Sequence, residues 1–176
     1  LGMADALRVQ EERGALRFIG IRHEGAAAFA ASAYGKLTGR PAACLTIAGP
    51  GATNLLTGLW DAHLDGAPVV ALTGQVETRL RDLGAFQDVD LREAFGGVAA
   101  WHATLGPGAR PDELGAQAVR HALLERGVVH IELPDEVQAA PSDLLAAAPE
   151  GRLADRRVAP PHEALDAAVE ILAAAR

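Results

Sequence analysis

A carboxylate and a glycine turn, each set at the end of an apolar run, are the residues of this chain with the most chemical promise. Residues 17–62 read RFIGIRHEGAAAFAASAYGKLTGRPAACLTIAGPGATNLLTGLWDA. The first run ends in Arg22-His23-Glu24 and passes into an Ala-rich helix, and the second ends in Gly49-Pro50-Gly51, which opens another helix. In an open α/β sheet, ligands bind at the carboxyl ends of the strands. Glu24 and the turn from Gly49 to Asn54 are therefore expected to face one pocket.

Each feature carries two readings. Glu24 suits the first turn of a helix simply because exposed N–H groups and the helix dipole favour an anion there. It also stands at the mouth of GAAAFAASAYGKL, a helix so poor in charge that it is expected to be buried, against another subunit in one version. A carboxyl there would be partly desolvated, its pKa raised, and fit for proton chemistry. The turn Gly49-Pro50-Gly51-Ala52-Thr53-Asn54 lacks the Gly-Lys-Ser/Thr of a P-loop and fails the G-x-G-x-x-G spacing at Asn54. It is either a tight strand-to-helix connection or a close backbone approach to a flat ring or an anion. Pro50 stiffens it, and Asn54 either supports the loop or reaches a ligand.

Phe86-Gln87-Asp88 sits in a polar, glycine-punctuated stretch between Thr73 and Val98, and a stretch of that length in a compact domain is often functional. Phe86 and Gln87 either line a pocket or anchor the loop, and Thr73-Gly74-Gln75 has the same ambiguity. His23, His63, His102, His121, His130 and His162 show no metal-ligand spacing, and each taken alone reads as structural or solvated. Asp61 and Asp65 around His63 read as a helix end and turn, with a subunit contact as the other use of their charge. Ser32 and Ser142 lack a nucleophile elbow, and no catalytic triad is visible.

Parallel βαβ units are the elements that place these residues. Strands are expected at Arg17–Ile21, Ala43–Ile47, Val69–Thr73, Val98–Ala103 and Val128–Leu133, and helices at Glu24–Leu37, Ala52–His63 and Asp112–Arg126. Such alternation predicts an α/β three-layer sandwich, a mostly parallel central sheet with helices on both faces. The chain opens with LGMADALRVQEERG, a helix stopped by Gly14, where an α/β domain normally opens with a strand. The first strand is thus expected to be missing, leaving an open edge or an unfilled slot for another chain to occupy. Residues 139–160 read as a Pro/Ala-rich linker and 161–176 as the start of a further helix, so the chain is expected to be a piece of a longer one.

The 176 residues are 49% hydrophobic and 22% charged, enough for one domain with a real core. A net charge of −7 without a clustered basic face argues against a nucleic-acid partner. Cys44 is the only cysteine, so no disulfide framework exists within one chain, and no leader or membrane-spanning stretch is visible. The expectation is a cytoplasmic protein with neither nucleic-acid nor membrane partners.

The combination of RHEGAAAFAASAYGKLTGRPAACLTIAGPGATNLLTGLWDAHLDGAPVVALTGQ with GAFQDVD resembles the thiamine-diphosphate-dependent enzymes, specifically their amino-terminal, pyrimidine-binding domain in the acetolactate synthase and pyruvate oxidase group. The resemblance covers roughly residues 1–138, and the tail from about Pro160 looks like the opening helix of the central domain that follows in this family. It implies that Glu24 hydrogen-bonds the cofactor's pyrimidine nitrogen, favouring the imino tautomer that deprotonates the thiazolium carbon. It further implies that Pro50, Gly51 and Asn54 lie along the pyrimidine and that Phe86 and Gln87 face the substrate side of the thiazolium.

The family holds the diphosphate and Mg²⁺ in a separate domain through a Gly-Asp-Gly motif, which this sequence lacks. The implied cofactors are therefore thiamine diphosphate with Mg²⁺ held elsewhere, and FAD in the full-length protein if it follows the oxidase branch. The implied partners are a diphosphate-binding domain of the same or another subunit, in a homodimer or homotetramer, and a small 2-keto acid. The implied activity is acetolactate-synthase-like carboligation or pyruvate-oxidase-like decarboxylation by the larger protein, with this chain inactive alone. The competing readings are a non-catalytic assembly module and an unrelated nucleotide-binding α/β domain.

Overall fold

A computed structural model describes residues 2–141 and 159–175. The chain opens with α1 (Gly2–Glu12), and Gly14, in the left-handed region at φ 71°, turns it aside as the sequence predicts. The elements that follow are α2 (Glu24–Thr38), β1 (Ala42–Thr46), α3 (Pro50–Thr53), α4 (Leu56–Leu64), β2 (Val69–Gln75), α5 (Leu91–Phe95), β3 (Ala99–Thr104), α6 (Pro111–Leu124), β4 (Val128–Pro134), α7 (Asp135–Gln138) and α8 (His162–Ala174). Among the described residues the four strands form one wholly parallel sheet in the order β1-β2-β4-β3.

Period-two alternation divides the core between the two faces of the sheet. On one face Val69 and Ala71 of β2 and Val128 of β4 pack with Ala28 and Ala31 of α2, Leu59 of α4 and Phe95 of α5. On the other, Val70, Val129, Ile131 and Leu133 pack with Ala118 and Ala122 of α6 and with Met3 of α1. The result is the expected three-layer α/β sandwich. The lone thiol, Cys44, lies in the first of these cores, where burial pushes its pKa up to about 12.

The strand expected over Arg17–Ile21 does not form. Those residues run without regular structure, and Ile19 keeps 65% of its surface exposed. β propensity does not make a strand unless a neighbour takes up its N–H and C=O groups, and here the Phe18 N–H is taken by the Glu11 carboxylate instead. Among the described residues β1 pairs on one side only, with β2, and so forms an edge. The helix expected over Ala52–His63 is broken as well, into α3 and α4, with Asn54 and Leu55 at the break. The expected linker at 139–160 falls mostly outside the described residues, as does Ser142, and the expected terminal helix is α8.

The small residues of α2 serve helix packing. Gly58 of α4 presses on α2 so closely that a Cβ there would meet the Ala28 Cβ and the Phe29 backbone nitrogen, both at 2.6 Å. At the far end of the same contact, Ser32 donates to Asp61 (2.7 Å) and Lys36 bridges Asp61 and Asp65 (2.7 and 2.6 Å). Asp61 and Asp65 therefore tie α4 to α2. Gly58→Ala should gain about 1 kcal/mol of helix propensity but lose about 1–3 kcal/mol to overpacking. The steric loss wins because the obstacle is backbone, and the expected readout is a lower urea midpoint with an unchanged m-value.

Candidate functional site

Glu24 takes its position from the start of α2. His23 caps the helix, its Nδ1 accepting from the Gly25 N–H at 3.1 Å, so Glu24 becomes the first helical residue. From there its carboxylate reaches the glycine turn. Asn54 Nδ2 donates to Glu24 Oε2 at 3.1 Å, across 30 positions of sequence. Gly51 lies beneath: a Cβ there would meet Ile47 Cγ1 at 2.8 Å and Thr46 Oγ1 at 2.9 Å, and would lie 3.4 Å from Glu24 Oε1. Close approach, rather than an unusual φ, is what calls for glycine at this position. Asn54 stands at the junction of α3 and α4, so the residue that meets Glu24 lies at the helix interruption.

The expectation for the carboxyl's acidity needs correction. Its pKa lies below the usual carboxylate range, held down first by its own backbone N–H at the helix start and second by the Asn54 amide. Burial pushes the other way and loses, because in this chain the group is only half-buried. Anion stabilisation at a helix start and desolvation both act on Glu24, and the first prevails here.

The other anticipated residues divide. Pro50 is exposed at the first position of α3. Gln87 comes to the same turn from the other side: a Cβ at Gly49, itself at φ 65°, would meet the Gln87 Cβ, Cα and O at 2.8–2.9 Å. Gln87 adopts φ 68°, a left-handed conformation that a non-glycine side chain rarely takes. Such strain persists where surrounding structure imposes it, often at functional sites. Phe86 beside it is 89% exposed. A cleft of about 270 Å³ runs along the strand ends, lined by Ile47, Ala48, Gly74, Gln75, Gln87 and Gln138 among others. Glu24, Gly51 and Asn54 are not in its lining, so the carboxylate does not open into this cleft. Gln75 resolves its own ambiguity as an anchor, donating to the Val89 carbonyl (3.0 Å) and accepting from the Val76 N–H (2.8 Å).

With this geometry in view, comparison with known proteins is decisive. The family model described as "Thiamine pyrophosphate enzyme, N-terminal TPP binding domain" matches residues 1–94. The chain belongs to this family. Among its relatives are YdaP of Bacillus subtilis, described as thiamine pyrophosphate-containing (42% identical, over 74% of this chain and 23% of that one). Others are the pyruvate oxidase of Lactiplantibacillus plantarum (36% identical, 74% of this chain and 21% of that one) and the acetolactate synthase isozyme 2 large subunit of Escherichia coli (36% identical, 93% and 29%). The chain thus spans under a third of the length of these relatives. No described helix is long and apolar enough to cross a membrane.

This TPP-binding domain also holds a polar cluster that reading the histidines one by one misses. His102, His130 and Glu132 lie on adjacent strands, and one ligand-type atom from each falls within 4.8 Å of the others. The parallel register sets His102 beside His130, and Thr73 and Thr104 beside Glu132. Thr73 Oγ1 lies 2.8 Å from His130 Nε2, the two Nδ1 atoms are 3.0 Å apart, and His102 Nε2 faces Glu132 Oε1 at 3.4 Å without a well-directed hydrogen bond. Burial holds both imidazoles neutral, with pKa values lowered to about 3 for His130 and about 4 for His102. Arg81 and Arg92 push His102 in the same direction and would oppose a further cation, so the cluster works as a hydrogen-bonded chain. The signal in sequence was the pair of alternating triplets, His102-Ala103-Thr104 and His130-Ile131-Glu132, with polar residues two apart on neighbouring strands.

Removing the Asn54 amide tests the balance at Glu24. Asn54→Ala should raise the Glu24 pKa, read from a carboxyl-carbon NMR titration. Since the folded pKa is depressed, the ionised carboxylate contributes stability above its unfolded value and loses that contribution as pH falls through the folded one. The variant should show a weaker acid dependence of its unfolding midpoint.

Proposed function

We propose that this chain is the half of a thiamine-diphosphate enzyme that activates the cofactor, in a larger protein that converts pyruvate or a related 2-keto acid by carboligation or oxidative decarboxylation. The single observation that carries the reading is the meeting of Glu24 and Asn54 above Gly51, in a chain of this family. When bound, thiamine diphosphate supplies the electron sink for 2-keto acid chemistry.

The chain's own residues supply orientation and a proton site. Asn54 engages Glu24 Oε2, which sets the plane of the carboxyl and leaves Oε1 on the Gly51 side. The missing Cβ at Gly51 lets the turn pack closely on Thr46 and Ile47 beneath Glu24, and the His23 cap and Pro50 at the first position of α3 fix where the two helices start. In this arrangement Oε1 is the atom that would hold or accept a proton from a ring nitrogen. The depressed pKa fits a half-built site: a second domain closing over Glu24 adds the desolvation that this chain lacks, and desolvation favours the shared-proton form. Gln87, bent against Gly49, and exposed Phe86 occupy the position for substrate-side contacts.

The diphosphate and Mg²⁺ belong in this reading to a separate domain, supplied by the same or another subunit of a homodimer or homotetramer, with FAD added if the reaction is an oxidase one. Residues 1–138 form the pyrimidine-binding domain, 139–160 the linker and 161–176 the start of the next domain. The site for such chemistry is the cytoplasm, where a lone buried thiol such as Cys44 is ordinary.

Glu24→Gln in the complete enzyme tests the assignment. It keeps the shape and the Asn54 contact but removes the proton site, and turnover of pyruvate with thiamine diphosphate and Mg²⁺ should fall about 10²–10⁴-fold while the protein stays folded, its thermal midpoint lowered only by the loss of the helix-start anion. Undiminished turnover would remove Glu24 from the role.

A further inference from the structure

We infer that Glu132 and Arg81 form a buried clamp that positions the 76–90 loop, and with it Phe86 and Gln87, over the strand ends. The inference rests on the reading that those two residues face the substrate. Glu132 sits in β4, a strand buried at every position, with its side chain 1% exposed. A carboxylate there is costly, and burial duly raises its pKa. Among the described residues its ion pair with a permanently charged group comes from the loop: Arg81 Nη1 lies 3.5 Å from Glu132 Oε2. Thr104 donates to the same oxygen at 3.4 Å, and His102 faces the other.

The loop is fastened on both sides of this pair. Gln75 holds its start to Val89, the Thr78 N–H donates to Glu136 (3.1 Å), and the Asp82 N–H donates to Asp88 (2.7 Å). At its far end Phe95 stacks on His130 with centroids 3.9 Å apart, joining the Thr73–His130–His102 chain, which ends facing Glu132, to α5. The clamp ties the middle of the loop to the sheet. Asp82 and Gln87, both at positive φ, stand on either side of the loop tip. Their strained conformations need outside ties, and Arg81 is adjacent to the first.

The test uses the complete enzyme carrying Arg81→Met, Glu132→Gln and both together. Arg81→Met leaves a buried carboxylate unpaired, so amide exchange across residues 76–90 should quicken at least tenfold and the KM for the 2-keto acid should rise five- to tenfold. Thiamine-diphosphate affinity should stay within twofold. Adding Glu132→Gln removes the stranded charge, so the double variant should exchange more slowly and show a lower KM than Arg81→Met alone. Should Glu132→Gln fail to fold, Arg81→Met, partly exposed at the surface, still decides. Unchanged loop exchange overturns the inference, as does quickened exchange with KM unmoved, or a double variant whose losses are the sum of the singles. The exchange readout does not depend on Glu24. If Glu24→Gln keeps full turnover while exchange and KM respond as expected, the cofactor reading fails and the clamp stands.

Discussion

Burial of β4 on both faces is the constraint from which the rest follows. Each residue from Val128 to Pro134 is shielded, by α6 on one side and by α5 and its preceding loop on the other. A strand so placed is normally apolar throughout, yet this one carries His130 and Glu132 on the α5 side. Those groups must find partners within the sandwich or cost several kcal/mol each. They find them in neighbouring strands, through Thr73, His102 and Thr104, and in the loop, through Arg81. The demand for satisfaction couples an irregular surface segment to the most buried strand of the sheet, and it converts a stretch with little periodicity into one with a defined path.

The same logic runs in reverse at Glu24. There the structure offers the carboxylate hydrogen bonds without the burial, so the ionised form is favoured. Two acidic residues, one at a helix start and one in a strand, thus lie on opposite sides of their ordinary pKa for opposite reasons. Glu132 is raised by desolvation despite a guanidinium, and Glu24 is lowered by a helix start and an amide despite partial burial. Acidity in this domain follows local surroundings rather than residue type or chain position.

These contrasts explain what could be read from sequence. The alternation of apolar runs and helices revealed the sandwich because each parallel strand is a local pattern, and the glycine turn with Glu24 was visible because both stand beside element boundaries. The failures are non-local. Nothing within Arg17–Ile21 says whether a neighbouring strand is present, so its β-branched residues read as a strand that does not form. The break at Asn54, and the bond from its amide to Glu24 30 positions away, are not revealed by helical periodicity in Ala52–His63. His102 and His130 look solitary because 28 positions separate them, and only register brings their Nδ1 atoms together. The Glu24 pKa went the other way from expectation because the helix-start N–H and the Asn54 amide, the latter brought in from 30 positions away, favour the anion more than half-burial opposes it.

That last point bears on how a site of this kind is divided between domains. A chain that held Glu24 fully dry by itself would bear the desolvation cost with no ring nitrogen to share the proton, and a buried unpaired carboxylate would weaken the fold. Keeping the group half-exposed, capped and ionised avoids that cost while fixing its direction through Asn54. On the proposed reading, desolvation of Glu24 arrives with a second domain and the cofactor. Glu132, by contrast, is already buried and already paired with Arg81. One carboxylate is thus met inside the sheet and the other is left half-buried at a helix start, where an approaching surface can change its acidity.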